Sequence, residues 1–282
     1  MKKKFACLLA VVLVLTMGLG WVIWSNCAVT VSRYTVTDPE IPAAFQGYRI
    51  VQVSDLHNDQ FGQGNSRLLD AIRELQPDVI FLTGDLVDYY HTDVAVSEDF
   101  IRDVAQIAPT LYVMGNHEAR VGESVLLETQ AKNAGVRVLK NETVTLEKAG
   151  ETITVLGLQD PAFAPPTLRP DHDEVILEEA LQSLEFGEGY NILLSHRPNF
   201  LPLYARYEID LAFGGHLHGG QFRLPFVGGL YAPSAGALPK YDAGLWTEGD
   251  TTLIVSRGLG NSAFPFRVNN PPELVCVDLA CS

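Results

Sequence analysis

Metal-ligating side chains return at the ends of apolar runs in five places along this chain, and no other feature limits its fold so tightly. The clusters are Asp55-Leu56-His57, Gly84-Asp85, Gly115-Asn116-His117-Glu118, Ser195-His196 and Gly214-Gly215-His216-Leu217-His218. The runs before them (49–54, 79–83, 111–114, 191–194 and 211–213) are short and bounded by Gly and polar residues. Such runs read as strands covered on both faces. Repeated delivery of Asp, Asn and His to one edge of a sheet is how a chain assembles a dinuclear metal site from residues far apart in sequence.

The residue types suit that task. Asp55 and His57 are two apart, so in extended chain both side chains point to one side and one cation can take both. The Asp85 carboxylate has two oxygens and can bridge a pair of cations, and Gly84 lets the backbone turn sharply before it. Asn116 offers a neutral oxygen, and His117 beside it is free to act on a substrate. Glu118 and Asp88 read as supporting residues. Glycines on both sides of His216 and His218 free the loop, so the two rings can diverge toward neighbouring cations. Alone, each cluster has a bland reading: Asp55 as a helix cap, Asp85 as a turn residue, His196 as a core histidine. Together they supply Asp55, His57, Asp85, Asn116, His196, His216 and His218, an all-N/O donor set that suits Mn, Fe or Zn.

The N-terminus stands apart. Met1-Lys2-Lys3-Lys4 is followed by an uncharged stretch from Phe5 to Trp24, long enough to cross a hydrocarbon core of roughly 30 Å as a helix. Trp21 and Trp24 fall where aromatic residues favour the interface, and the lysines are expected to stay cytoplasmic. The segment therefore reads as a single-pass anchor with the remainder outside the cytoplasm. If instead it is a cleaved signal, the protein is secreted, although 25–28 has no convincing small-x-small site. The 20 Lys and Arg against 34 Asp and Glu give −14; without the three N-terminal lysines the balance is 17 against 34, or −17. That argues against a polymeric nucleic-acid partner, which needs a basic face. The 4 cysteines show no zinc-type spacing, so thiolate metal binding is not expected.

The expected organisation is an anchor over 1–24, a linker over 25–47 and one domain over 48–282. Strands alternate with helices at 68–75, 96–108 and 124–133. Short strands follow at 136–139, 144–146 and 153–158, then a proline-rich loop (161–170), a helix at 174–184 and late strands near 252–256 and 274–278. The pattern predicts an α/β fold of two packed mixed sheets flanked by helices.

The order Asp-x-His, Gly-Asp-x-x-Asp, Gly-Asn-His-Glu, His, Gly-His-x-His resembles the calcineurin-like metallophosphoesterase superfamily. GGHLHGGQFR at 214–223, Pro239-Lys240-Tyr241 and Arg257-Gly258-Leu259-Gly260 are similar to its membrane-associated bacterial branch, which includes envelope phosphoesterases and relatives of UDP-2,3-diacylglucosamine hydrolases. The match spans about residues 45–278. The resemblance implies a four-layer αββα sandwich. It also implies two divalent metals, one held by Asp55, His57, Asp85 and His218, the other by Asp85, Asn116, His196 and His216. His117 takes the place of the family's non-ligand histidine, which contacts the phosphate or protonates the leaving oxygen. The implied activity is hydrolysis of a phosphomonoester or phosphodiester, with a phospholipid or nucleotide-sugar lipid among the substrates that a membrane anchor makes reachable. Two cations roughly 3.5–4 Å apart activate a shared water and clamp phosphate oxygens during in-line attack.

A non-catalytic metal-dependent binding module is the alternative from another class; loss of a ligand or of His117 would favour it, and neither is lost. A lactamase-like fold needs an early H-x-H-x-D-H run, which is absent. Arg120 and Arg197 are candidates for a second phosphate, while His91 and His172 read as exposed loop residues. The apolar run at 222–227 is open to two readings, core packing or a bilayer-facing surface.

Overall fold

The computed structural model describes residues 2–282. Helix α1 (Lys2–Cys27) projects from the body with none of its apolar stretch buried, at a mean hydropathy of 2.5. The chain then forms β1 (Thr30–Asp38), β2 (Arg49–Val53), α2 (Ser66–Leu75), β3 (Val79–Leu82), α3 (Val94–Val104), β4 (Thr110–Tyr112), α4 (Ser124–Asn133) and β5 (Arg137–Val138). Strands β6 (Glu142–Lys148) and β7 (Glu151–Gly157) make a hairpin and lead to α5 (His172–Ser183), β8 (Asn191–Leu194), α6 (Leu201–Arg206) and β9 (Leu211–Gly214). Two small ribbons follow, β10 (Arg223–Leu224) with β11 (Gly228–Gly229) and β12 (Tyr231–Ala232) with β13 (Gly236–Ala237). The chain closes with β14 (Gly244–Glu248), β15 (Thr251–Val255) and β16 (Glu273–Cys281).

Two six-stranded mixed sheets result, in the orders β1-β16-β2-β3-β4-β5 and β14-β15-β9-β8-β7-β6. Side-chain alternation along the strands explains the layering. In β3, Val79 and Phe81 enter the core between the sheets, while Ile80 and Leu82 pack outward with Leu68, Ile72, Phe100 and Leu127 of α2, α3 and α4. In β8, Ile192 and Leu194 face the first sheet, and Leu193 packs outward with Leu177 and Leu181 of α5 and Leu201 of α6. Both faces of each sheet are covered, which is why these strands read as unbroken apolar runs. The molecule is an αββα sandwich, as expected.

The segment 25–47 departs from the linker expected there. Residues 30–38 form β1, an edge strand paired in parallel with β16, and Ile41 and Phe45 are buried against the core between the sheets. The strand alternates exposed and half-buried positions, as edge strands do. β2, β3 and β4 are parallel neighbours, as are β8 and β9. Buried Gln52 ties the two sheets together where these strands end: its Nε2 donates to Thr83 Oγ1 and to Gly214 O, both at 2.9 Å.

Candidate metal centre

Every cluster singled out from sequence lies just beyond the C-terminal end of one of these strands: Asp55 and His57 after β2, Asp85 after β3, Asn116 and His117 after β4, His196 after β8, and His216 and His218 after β9. All eight side chains are buried. The loops approach so closely that a Cβ on Gly84 (φ +93°) would sit 2.6 Å from His196 Nδ1 and 2.8 Å from Gly115 Cα. Asp55, His57, Asp85, His216 and His218 themselves adopt left-handed backbone, φ between 48° and 66°, a conformation that costs a non-glycine residue about 1–3 kcal/mol.

The donor atoms face one another in two groups. His57 Nε2 lies 3.1 Å from His218 Nε2 and 3.9 Å from Asp55 Oδ1, while His218 Nε2 is 3.4 Å from the same oxygen. His196 Nε2 lies 3.1 Å from His216 Nδ1 and 3.2 Å from Asn116 Oδ1. Asp85 Oδ2 stands between the groups, 3.8 Å from His57 Nε2 and 3.1 Å from His196 Nε2. Thr83 O orients His196 by accepting from Nδ1 at 2.7 Å, so Nε2 is the nitrogen that faces the centre. These ring nitrogens and carboxylate oxygens meet at distances that a shared proton or a cation can bridge, and the hard-to-borderline N/O set fits divalent ions.

Electrostatics agree with a cation-seeking centre. Burial works to raise the Asp55 carboxyl, but His218, His57 and His196 outweigh it and bring it down to about 2. Burial likewise opposes protonation of His57 and His196, yet the carboxylates around them lift the rings to about 9 and about 10. His218 goes the other way, down to about 3, through burial with His57 and Arg267 nearby. Burial and Arg197 hold His216 well below the usual imidazole range.

Supporting residues complete the centre. Glu118, fully buried, accepts from the backbone N–H of Asp85 (2.9 Å), Leu86 (2.6 Å), Val87 (3.3 Å) and Gly115 (2.8 Å) and from the Tyr112 hydroxyl (3.0 Å). It thereby clamps the loop carrying Asp85 to the loop carrying Asn116, the supporting part expected of it. Asp88 lies between rings, its Oδ1 3.1 Å from His117 Nδ1 and 3.7 Å from His57 Nδ1. Burial raises the Asp88 carboxyl, but these two imidazoles hold it below the usual carboxylate range. His117 Nδ1 also accepts from Tyr89 N at 2.9 Å, and its Nε2 lies 4.0 Å from Asp85 Oδ2.

A cavity of about 240 Å³ opens over the centre, bounded by Tyr90, Arg120, Arg197, Pro233, Ser262 and Phe264 beside Asp85, His117, His216 and His218. Of the two arginines considered for phosphate, Arg120 is exposed at this mouth. Arg197 is engaged: Nε and Nη2 donate to Asp160 at 2.7 and 3.0 Å, and Nη1 lies 3.2 Å from His216 Nε2. His91 is exposed and reaches Asp88 Oδ2 at 3.3 Å, while half-buried His172 begins α5 outside the centre. Two supporting residues gave no signal in sequence. Asp160 holds Arg197, and fully buried Arg267 places Nη2 3.3 Å from His218 Nδ1. A larger cavity, about 820 Å³, lies at the opposite strand ends among Glu40, Glu188, Asp210 and Asp250, and among the described residues no histidine lines it.

The chain is similar to known proteins over most of its length. The family model described as calcineurin-like phosphoesterase matches residues 48–220. The uncharacterized metallophosphoesterase YkuE of Bacillus subtilis (strain 168) is 30% identical over 257 residues, covering 88% of this chain and 84% of its own. Phosphodiesterase YaeI of Escherichia coli (strain K12) is 30% identical over 238 residues, with 82% of each chain covered. Among solved structures, the phosphopantetheinyl hydrolase PptH of Mycobacterium tuberculosis superposes with a TM-score of 0.48 at 14% identity, covering 74% of this chain and 89% of that one. With its metal-binding Asp and His groups gathered at the strand ends, this chain belongs to the calcineurin-like phosphoesterase family.

Proposed function

We propose that this protein is a membrane-anchored hydrolase that cleaves phosphoesters at a pair of divalent cations, with Mn, Fe and Zn as the ions to test. The observation that carries the reading is Asp85 Oδ2, placed between His57 Nε2 and His196 Nε2 at 3.8 and 3.1 Å. One carboxylate shared by two donor groups is what a bridging ligand requires. Asp55, His57, Asp85 and His218 would hold one ion, and Asp85, Asn116, His196 and His216 the other. Such a pair, when bound, lowers the pKa of water and stabilises charge on the phosphoryl oxygens.

The chain's own residues supply the rest. With Tyr89 N–H donating to a bare Nδ1, His117 carries its proton on Nε2, the nitrogen nearer Asp85. That N–H faces the cavity, where it is placed to donate to a departing oxygen. Burial of the centre keeps bulk water from competing for the phosphate. The cavity runs past the donor groups to Arg120 and Phe264, leaving room for a second ester substituent. That space, and the phosphodiesterase named among the relatives, favour a diester over a monoester, including a diester borne on a lipid. The apolar stretch of α1 supports an anchor, with the catalytic domain on the extracytoplasmic side as the charge bias of its lysines suggests.

The test is hydrolysis by the purified full chain of bis(p-nitrophenyl) phosphate, p-nitrophenyl phosphate, a phospholipid and a nucleotide-sugar lipid, with each ion and with chelator. Diester cleavage that chelator abolishes is expected. Chelator-resistant hydrolysis, or tight metal binding with no hydrolysis of any ester, would overturn the reading, and the second result would favour a binding module.

A further inference from the structure

Beside the cavity mouth the chain exposes apolar side chains that the centre does not use. The β10–β11 ribbon ends in the turn Leu224-Pro225-Phe226-Val227, closed by Val227 N donating to Leu224 O at 3.2 Å. Leu224, Val227 and Phe226 are 50%, 58% and 109% exposed, and Phe266 in the neighbouring loop is 44% exposed. Phe226 occupies the third turn position at φ +67°, where glycine or asparagine is usual. A phenylalanine held in a costly backbone conformation with its whole ring in water is poorly placed for an aqueous surface.

The base of the ribbon is tied to the end of α1 through Arg267 and Val268. Asn26, in the last turn of that helix, donates from Nδ2 to Arg267 O at 3.0 Å, and its Oδ1 accepts from Arg267 N at 2.8 Å. Val268 bridges to Phe222, and Arg223 N donates to Val268 O at 3.0 Å. Phe222 packs at ring centroid distances of 5.5 Å against both Phe264 and Phe266. Phe264 lines the cavity, so helix end, apolar ribbon and cavity mouth form one connected unit. The Trp21–Trp24 pair (centroids 5.2 Å apart) sits within a turn and a half of Asn26, which sets that end of the helix at a membrane–water interface.

We infer that the Leu224–Val227 turn with Phe266 is a membrane-docking surface, dipping into the same bilayer that α1 crosses and seating the cavity mouth against the lipid headgroups. The occupant is lipid because the patch is continuous with a helix that ends at the interface, and a ribbon fixed two residues from that helix cap has little reach to any other surface. Apolar insertion, not charge attraction, drives the contact, since the chain outside the N-terminal lysines carries −17. The inference rests on α1 as an anchor but not on the catalytic reading.

The test is the full chain reconstituted in phosphatidylcholine vesicles, with or without lipids brominated along the acyl chain. Phe226→Trp is compared with the parent and with Val125→Trp, a control on α4, where Val125 is 73% exposed. The added emission of F226W should be blue-shifted and lose about half or more of its intensity to brominated lipid, at low and at high salt alike, while that of V125W stays unquenched. Phe226→Asp should remove the contact: Leu224→Trp in that background loses its quenching, with melting temperature and hydrolysis of a water-soluble ester unchanged within twofold. Emission from F226W that is unquenched, or quenched equally with V125W, would overturn the proposal. A quenched F226W in a protein without hydrolytic activity would leave the docking surface standing and sink only the catalytic reading.

Discussion

Glu118→Gln is the perturbation on which the account of the centre is most exposed. In the native chain Oε2 takes Asp85 N and Gly115 N, and Oε1 takes Leu86 N, Val87 N and the Tyr112 hydroxyl. Glutamine has one oxygen and one amide nitrogen. With its oxygen in the Oε1 position it keeps the second set and turns N–H against Asp85 N–H and Gly115 N–H. Two hydrogen bonds to a charged acceptor are then lost, each worth about 1.5–3 kcal/mol, with both donors left buried. A destabilisation of about 4 kcal/mol is therefore expected. At roughly 2–4 °C per kcal/mol for a domain of this size, the melting temperature should fall by about 8–16 °C. The strained backbone at Asp85 (φ 53°) loses its clamp in the same step. Calorimetry and metal titration of the variant and the parent chain give the measurement. Metal affinity should drop more than tenfold, while Glu147→Gln at an exposed position of β6 changes neither quantity appreciably. A Glu118→Gln protein that melts within about 2 °C of the parent and binds metal as tightly would refute the clamp, by the scale of the hydrogen bonds it removes.

Other consequences are equally direct. Asp85→Asn should abolish hydrolysis and leave the purified protein depleted of metal; near-parental turnover from it would remove Asp85 from the bridging position. His117→Gln should slow turnover by roughly 10²–10⁴-fold with metal content unchanged, and loss of metal together with activity would make His117 a ligand instead. Adding Mn, Fe or Zn at about 100 times its dissociation constant should contribute about 2.7 kcal/mol, raising the melting temperature by roughly 5–11 °C; an unmoved transition for all three ions would argue against a native-state metal centre. Gly84→Ala should cost more than Gly150→Ala. Both glycines have positive φ, at +93° and +85°, but only at Gly84 does a Cβ meet other atoms, with His196 Nδ1 at 2.6 Å. Equal melting temperatures for the two variants would mean that the crowding seen there relaxes without cost.

How much of this was legible in sequence follows from where each residue gets its meaning. Val79, Phe81, Ile192 and Phe213 belong to strands covered on both faces, so their apolar runs announce them. β1 and β14 are edge strands, half polar because one side meets water, and only pairing with β16 and β15 makes strands of them. Hence 30–38 passed for a linker. The candidate donors were legible because few residue types bind a cation and strand ends collect them. Their supports were not: Asp160 is 37 residues from Arg197, and Arg267 is 49 from His218. Nothing local to Arg267 marks it as buried, since the chain pays for burying that guanidinium only in the folded state, through Arg257 O at 2.8 Å and Gly260 O at 2.5 Å.

The backbone was the least legible part of the centre, and it explains why so many supports are needed. A reader assigns left-handed φ to glycine, yet Asp55, His57, Asp85, His216 and His218 all adopt it. Left-handed φ lets residues leaving parallel strands turn their side chains toward a common point instead of alternating between faces. At about 1–3 kcal/mol each, five such residues would consume much of the 5–15 kcal/mol by which a domain is stable, so neighbouring hydrogen bonds must offset them. Those bonds are found: His216 N donates to both oxygens of Asp55 at 3.1 Å, His117 N to Asp85 Oδ1 at 2.8 Å, and Asp85 N to Glu118. Of the five, Asp55 and Asp85 are carboxylates and His216 is held by one, while His57 N donates to Asp85 O and His218 O accepts from Asn270, so the anionic character of the centre is required in part by its backbone as well as by a cation. Replacing Asp55 with asparagine should for that reason lower stability even under strong chelation, where loss of a metal ligand has no effect; a chelated Asp55→Asn protein as stable as the chelated parent would separate the two roles and contradict this argument.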